Sequence, residues 1–185
     1  NDESKPEMPE AWTRHLCPSG PWKHPRGLMH GQANGEIRGN AKEMDVLQAF
    51  DGDDSSYPDG PTIEEALIQL EKLAADENPF FLAVGFLRPH LPFGAPARYV
   101  KLYDDTPLPA IPHPSKPLGK TTWHGSGEFM KYNRWKRDPR NDPEFADMVR
   151  RHYAGCVSYV DALVACLIAG LEKQEAADQT VILLW

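Results

Sequence analysis

Apolar residues recur at helical spacing in two stretches of the chain. In the first, Ile63, Ala66, Leu67, Leu70, Leu73 and Ala74 line up on one face, which predicts an amphipathic helix from Thr62 to near Asp76. Thr62 and Glu65 stand at capping-box spacing at its start. In the second, Phe145, Met148, Val149, His152, Tyr153, Cys156, Val157, Val160, Leu163, Val164 and Leu167 mark the buried side of a longer helix. Asp142-Pro143-Glu144 supplies a cap, a proline for the first helical position and an acid for the first turn, and the pattern continues to about Lys173.

Each predicted helix is followed or preceded by an apolar run of strand length. Phe80 to Phe86, "FFLAVGF", lies between Asn78-Pro79 and Arg88-Pro89 and reads as a strand buried on both faces. Thr180 to Leu184 reads as a second such strand. A helix, a short turn and a buried strand make half of a βαβ unit, so the expected class is α/β with a mixed or largely parallel sheet. Residues 1–60 and 91–143 show little periodicity and hold most of the 18 prolines and 14 glycines, which predicts long ordered loops. The expected organisation is one segment, 1–185, with an irregular region over 1–60 and helix, strand, long loop, helix and strand over 61–185. The last residues fall at the C-terminal end of a core strand, where α/β sheets collect ligands. That position suggests a central fragment of a larger catalytic domain.

Composition narrows the partners. The formal net charge is −7 over 185 residues, and no basic run exceeds the short Lys131 to Arg140 region, so nucleic acid and anionic membranes are disfavoured. No apolar segment is read as approaching the roughly 20 residues of a membrane span, and no signal-peptide core opens the chain. Three cysteines, Cys17, Cys156 and Cys166, do not make a disulfide framework. Cys156 and Cys166 on one helix would stand about 15 Å apart, too far to bond.

His90 is the sharpest candidate for chemistry. It follows the first predicted strand directly, and Pro89 and Pro92 restrict the backbone on both sides, so its ring is aimed. Such a histidine can donate to an anionic substrate or protonate a leaving group; the alternative is a loop histidine bonded to a backbone carbonyl. Arg88 could join an anion clamp or form a surface salt bridge. Trp123 and His124, with Tyr132, Trp135 and the basic residues Lys131, Arg134, Lys136 and Arg137, could form a sugar-stacking rim or pack the loop onto its own domain. His15, His24 and His30 have no zinc spacing and read as surface loop histidines. Cys17 lacks an activating neighbour, and Asp51-Gly52-Asp53-Asp54 lacks the closing glutamate of a calcium loop and reads as a turn.

F-F-L-A-V-G, R-P-H and P-F within "NPFFLAVGFLRPHLPFGAPARYVKLY", followed in order by Y-x-x-x-V-S-Y-x-D in the later helix, resemble the sulfatase family of the alkaline-phosphatase-like superfamily, most closely its iduronate-2-sulfatase branch. "TIEEALIQLEKL", "RRHYAGCVSYVDALVACLIAGLEK" and "DQTVILLW" agree with that branch, so the resemblance covers about residues 60–185. It implies hydrolysis of sulfate esters of a sugar or glycosaminoglycan through a formylglycine nucleophile beside a calcium ion, in a periplasmic, secreted or lysosomal enzyme. It also implies that His90 lines the sulfate pocket. The formylglycine motif C-x-P-x-R is not matched by Cys17-Pro18-Ser19-Gly20-Pro21, where Pro21 stands in place of arginine, so nucleophile and metal ligands are expected outside these residues and the isolated segment is expected to be inactive. A phosphoester hydrolase of the same superfamily and a non-catalytic binder of sulfated sugars are the alternatives.

Overall fold

The computed structural model describes residues 8, 10–23, 27–40, 42–113, 115, 117–120 and 127–185. Its elements, in chain order, are helix α1 (Gly27–His30), strand β1 (Leu47–Phe50), helix α2 (Asp59–Ala74), strand β2 (Phe93–Pro96), helix α3 (Ala97–Val100) and helix α4 (Pro143–Lys173). β1 and β2 pair in parallel, with Leu47 opposite Phe93 and Phe50 opposite Pro96. Parallel strands need a long crossover, and α2 lies in it. This is the α/β arrangement expected, although the strands fall elsewhere.

α4 follows the predicted boundaries. The Asp142 carboxylate accepts the Phe145 N–H at 2.9 Å, and Pro143 occupies the first turn, where its missing N–H costs nothing. Arg137 adds two further donors to the same carboxylate, at 2.6 and 2.9 Å. Those Arg137 bonds, with the Phe145 N–H, hold the Asp142 carboxyl below its ordinary pKa. A carboxylate depressed in the folded state stabilises above its unfolded range and loses that contribution as pH falls through the folded value. Asp142→Ala should therefore lower the melting temperature at pH 7 by a few degrees, with the gap from the parent closing in acid. A gap that stays the same at acid pH would show that the charged cap is not its source.

α2 begins three residues before the predicted Thr62, because Asp59, Gly60 and Pro61 already form its first turn. The Thr62–Glu65 capping box is therefore not used. Pro61 is tolerated there because first-turn N–H groups have no intrahelical acceptor. Ile63, Ala66 and Leu70 carry the buried stripe.

The core lies where α4 covers α2 and β2. Tyr57, Ile63, Ala95, Val100, Cys156, Tyr159 and Leu163 pack in one cluster, and Met44, Val46, Leu47, Tyr132 and Phe145 in a second. Cys156 is buried, and burial pushes its thiol up to about 12, so it is not a reactive cysteine. Tyr153 and Val157, expected on the buried side, are exposed instead, while Tyr159 faces inward. α4 is also long and apolar enough, by length and composition, to cross a membrane, contrary to the absence of such a segment expected above. Its buried residues stack against α2 and β2, which accounts for part of its apolar content.

The two predicted strands form no ladder. Residues 80–86 alternate, with Phe80, Leu82, Val84 and Phe86 partly covered and Phe81, Ala83 and Gly85 exposed. Trp12 stacks on Phe81 at 5.9 Å between ring centroids. Residues 181–185 are exposed throughout. Both runs have the composition of buried strands, but no described segment lies alongside to supply hydrogen-bond partners or a second covering layer. Instead, the sheet is built from four-residue strands in the two segments read as loops.

Candidate active site

The turn from Leu87 to Phe93 is fastened by two buried charged residues, Asp59 and Arg88. Asp59, at the first position of α2, is fully buried and accepts the N–H groups of Leu87 at 2.6 Å and Arg88 at 3.0 Å. Burial raises the Asp59 pKa, opposed by the charge of Arg88 and the two N–H bonds. The Arg88 side chain is only 3 % exposed. Its Nε donates to the Gly94 carbonyl at 2.8 Å and its Nη2 to the Gly31 carbonyl at 2.5 Å, with the guanidinium 5.8 Å from the Tyr57 ring centroid. Arg88 is thus not a surface salt bridge, and its Nη1 is buried with no hydrogen-bond partner among the described residues. It is a strut of the scaffold, tying the turn to β2 and to the loop after α1.

Gly94 is required at the other end of the turn. A Cβ there would lie 2.8 Å from Tyr57 Cε1 and closer still to the Gln32 amide, and both side chains are fully buried.

His90 stands out from this fixed base with its ring exposed. Its N–H donates to the Leu87 carbonyl at 2.9 Å, and Nδ1 lies 2.7 Å from the Leu91 carbonyl oxygen. A carbonyl can only accept, so Nδ1 carries the proton. In the neutral ring Nε2 is then an acceptor, and only the imidazolium offers an Nε2–H to a substrate oxygen. Of the two readings from the sequence, the bond to a backbone carbonyl is present, and it leaves Nε2 as the ring nitrogen facing outward from that bond.

The ring of His30 lies edge-on to His90, with centroids 5.5 Å apart and planes at 66°. His30 is 8 % exposed, not the surface histidine expected. Its Nδ1 is 3.0 Å from Tyr132 Oη and its Nε2 is 3.2 Å from Arg38 Nη2. Arg38 Nη1 donates to Tyr132 Oη at 2.9 Å and to Glu128 Oε1 at 3.2 Å. Burial pushes the Tyr132 phenol up to about 12 despite the nearby Arg38 charge, so it stays protonated. Tyr132 reaches this cluster because Asn133 pairs with the segment before β1: Val46 N–H to the Asn133 carbonyl at 3.0 Å and Asn133 N–H to the Met44 carbonyl at 2.9 Å.

Trp123 and His124, proposed for a substrate rim, lie outside the described residues. Of its neighbours, Tyr132 is buried in the second core cluster, and Trp135 packs edge-on to Phe145 at 6.3 Å. Asp51 to Asp54 form the expected turn, with the Asp53 carboxylate accepting from Ser55 and Ser56.

Residues 16–185 match the family model described as Sulfatase. The chain belongs to the sulfatase family. It is 30 % identical over 165 residues to iduronate 2-sulfatase of Homo sapiens, a match covering 80 % of this chain and 28 % of the human protein. It is likewise 30 % identical over 142 residues to a sulfatase of Formosa agariphila, covering 74 % of this chain and 27 % of that one. The multifunctional alkaline phosphatase superfamily protein PehA of Trinickia caryophylli is 28 % identical over 130 residues, covering 65 % and 25 %. The chain therefore spans roughly a quarter of the length of these relatives.

The calcium ion and formylglycine that the family implies do not fit the residues present. Among the described residues no group of three His, Cys, Asp or Glu side chains could hold a metal ion. Cys17 is exposed and sits in a sequence that departs from C-x-P-x-R at Ser19 and Pro21. No step through either group is derived from this chain.

Proposed function

We propose that the protein containing this chain hydrolyses sulfate esters of a sulfated sugar, with His90 on the wall of the sulfate pocket. The observation that supports this reading is the exposed His90 ring, with Nδ1 tied to the Leu91 carbonyl and Nε2 left for a ligand, on a turn that Asp59 and Arg88 anchor. Family membership and the similarity to iduronate 2-sulfatase point the same way. The imidazolium either donates Nε2–H to a sulfate oxygen or passes that proton to the departing alkoxide. The formylglycine nucleophile and calcium are assigned to other parts of the longer protein, and a lysosomal, periplasmic or secreted setting follows the family. Arg88 is left out of the substrate contacts because its side chain is buried and its Nε and Nη2 donate to the carbonyls of Gly94 and Gly31.

A phosphoester hydrolase is the second reading, favoured by the likeness to PehA, whose name places it in the alkaline phosphatase superfamily. Turnover of a sulfated monosaccharide and of the matching phosphate monoester by the full-length protein separates the two. The sulfatase reading expects the sulfate ester to be hydrolysed with the higher kcat/KM. Preference for the phosphate ester would transfer the assignment, and binding of the sulfated sugar without turnover of either would leave a carbohydrate-binding protein.

A further inference from the structure

His90 makes its one side-chain hydrogen bond to its own neighbour, Leu91. That bond sets the tautomer but leaves the tilt of an exposed ring to whatever stands beside it. What stands beside it is His30, at the end of α1 and 60 residues away in sequence. Two ties bring the segments together: the edge contact between the rings, and the bond from Arg88 Nη2 to the carbonyl of Gly31.

His30 is itself held on both sides. A guanidinium has only donors, so Arg38 fixes His30 Nε2 as an acceptor, and Nδ1–H faces Tyr132 Oη. Although Glu128 Oε1 also stands 3.6 Å from Nδ1, a ring whose Nε2 accepts from Arg38 carries a single proton, on Nδ1. It can therefore lie against His90 without opposing the imidazolium that the chemistry needs, while Glu128 at 3.2 Å balances the charge of Arg38. Edge-to-face packing then favours one orientation of the His90 ring.

We propose that His30, held by Arg38 and Tyr132, is a positioning residue that fixes the ring plane of His90 and so aims Nε2. The proposal rests on the reading of His90 given above, and the experiment separates the two. In the full-length enzyme, kcat, KM and melting temperature are measured for the parent, His90→Ala, His30→Gln and His30→Phe with a sulfated monosaccharide as substrate.

The glutamine amide can still accept from Arg38 and donate to Tyr132, so His30→Gln should melt near the parent. Lacking the ring edge, it should lose on the order of tenfold in kcat with KM nearly unchanged, as expected of a misaimed catalytic group. His30→Phe restores the edge but not the bonds, and should recover kcat above the glutamine variant while melting lower. A His30→Gln enzyme with parental kcat, beside an inactive His90→Ala, overturns the positioning role alone. Losses that simply follow melting temperature overturn it as well. Parental turnover by His90→Ala removes the underlying reading and this one with it. Should His30→Gln fail to fold, the ring 15N resonances of the parent still decide: His30 must show Nδ1 protonated and Nε2 bare, and a doubly protonated His30 at pH 6 refutes the proposal.

Discussion

Replacing His90 by alanine in the full-length enzyme should lower turnover of a sugar sulfate ester by about a hundredfold or more, the usual scale of a lost general acid or a misplaced reacting group. The leaving group then tells the two roles apart. A sugar alkoxide needs a proton as it departs, whereas p-nitrophenolate does not. If His90 delivers that proton, His90→Ala should be far more damaging with the sugar sulfate than with p-nitrophenyl sulfate. If His90 binds a sulfate oxygen, the two substrates should suffer alike. Because the Leu91 carbonyl claims Nδ1–H, both roles belong to the imidazolium. A variant with near-parental turnover of both substrates removes His90 from the site.

The second large effect concerns stability. Arg88→Met leaves the Asp59 carboxylate buried without its charge partner, and strips the donors from the carbonyls of Gly94 and Gly31. Leaving buried carbonyls without their donors costs about 1–3 kcal/mol each. Arg88→Lys keeps a positive charge near Asp59 but lacks the planar fork that reaches two carbonyls at once, so its loss should be intermediate. Denaturant unfolding monitored by circular dichroism measures both. A methionine variant within about 0.5 kcal/mol of the parent, the range of ordinary surface substitutions, would mean that the pair does not hold the turn. The Asp59 to Arg88 link also predicts that activity suffers in Arg88→Met although Arg88 is not placed against substrate, because the base under His90 is no longer fixed.

The helices were legible because periodic burial writes itself into the sequence. α4 shows both its stripe and its Asp142-Pro143 start, and α2 shows its stripe even though its first turn was displaced by a proline that helices accept there. The strands were not legible. Leu47 to Phe50 and Phe93 to Pro96 are four residues each, too short to alternate visibly, and β2 contains a glycine and a proline. The long apolar runs that do look like strands lack a described neighbour to pair with.

At the site, His90 could be singled out because two prolines frame it. Arg88 could not be assigned from sequence, since burial depends on Asp59 and Gly94 arriving from elsewhere. His30 was passed over as a loop histidine because its partners Glu128 and Tyr132 are about 100 positions away. The signal that could have found it is the low charge tolerance of a "GLMHGQA" stretch, too apolar for a solvated loop. Three of the four residues after Gly27 are in fact buried, namely Leu28, His30 and Gly31.

The exposed face of 80–86 and the exposed residues 181–185 bear on how the chain behaves in a test tube. Phe81 is 72 % exposed, Leu184 84 % and Trp185 95 %. Extended backbone with unpaired amides and apolar side chains is a template for edge-to-edge association between molecules. Produced by itself, this stretch of chain would favour inclusion bodies over a clear solution, and would stain with dyes that report exposed apolar surface. Recombinant work on the site therefore belongs in the longer polypeptide, and aggregation of the short one would carry no information about catalysis.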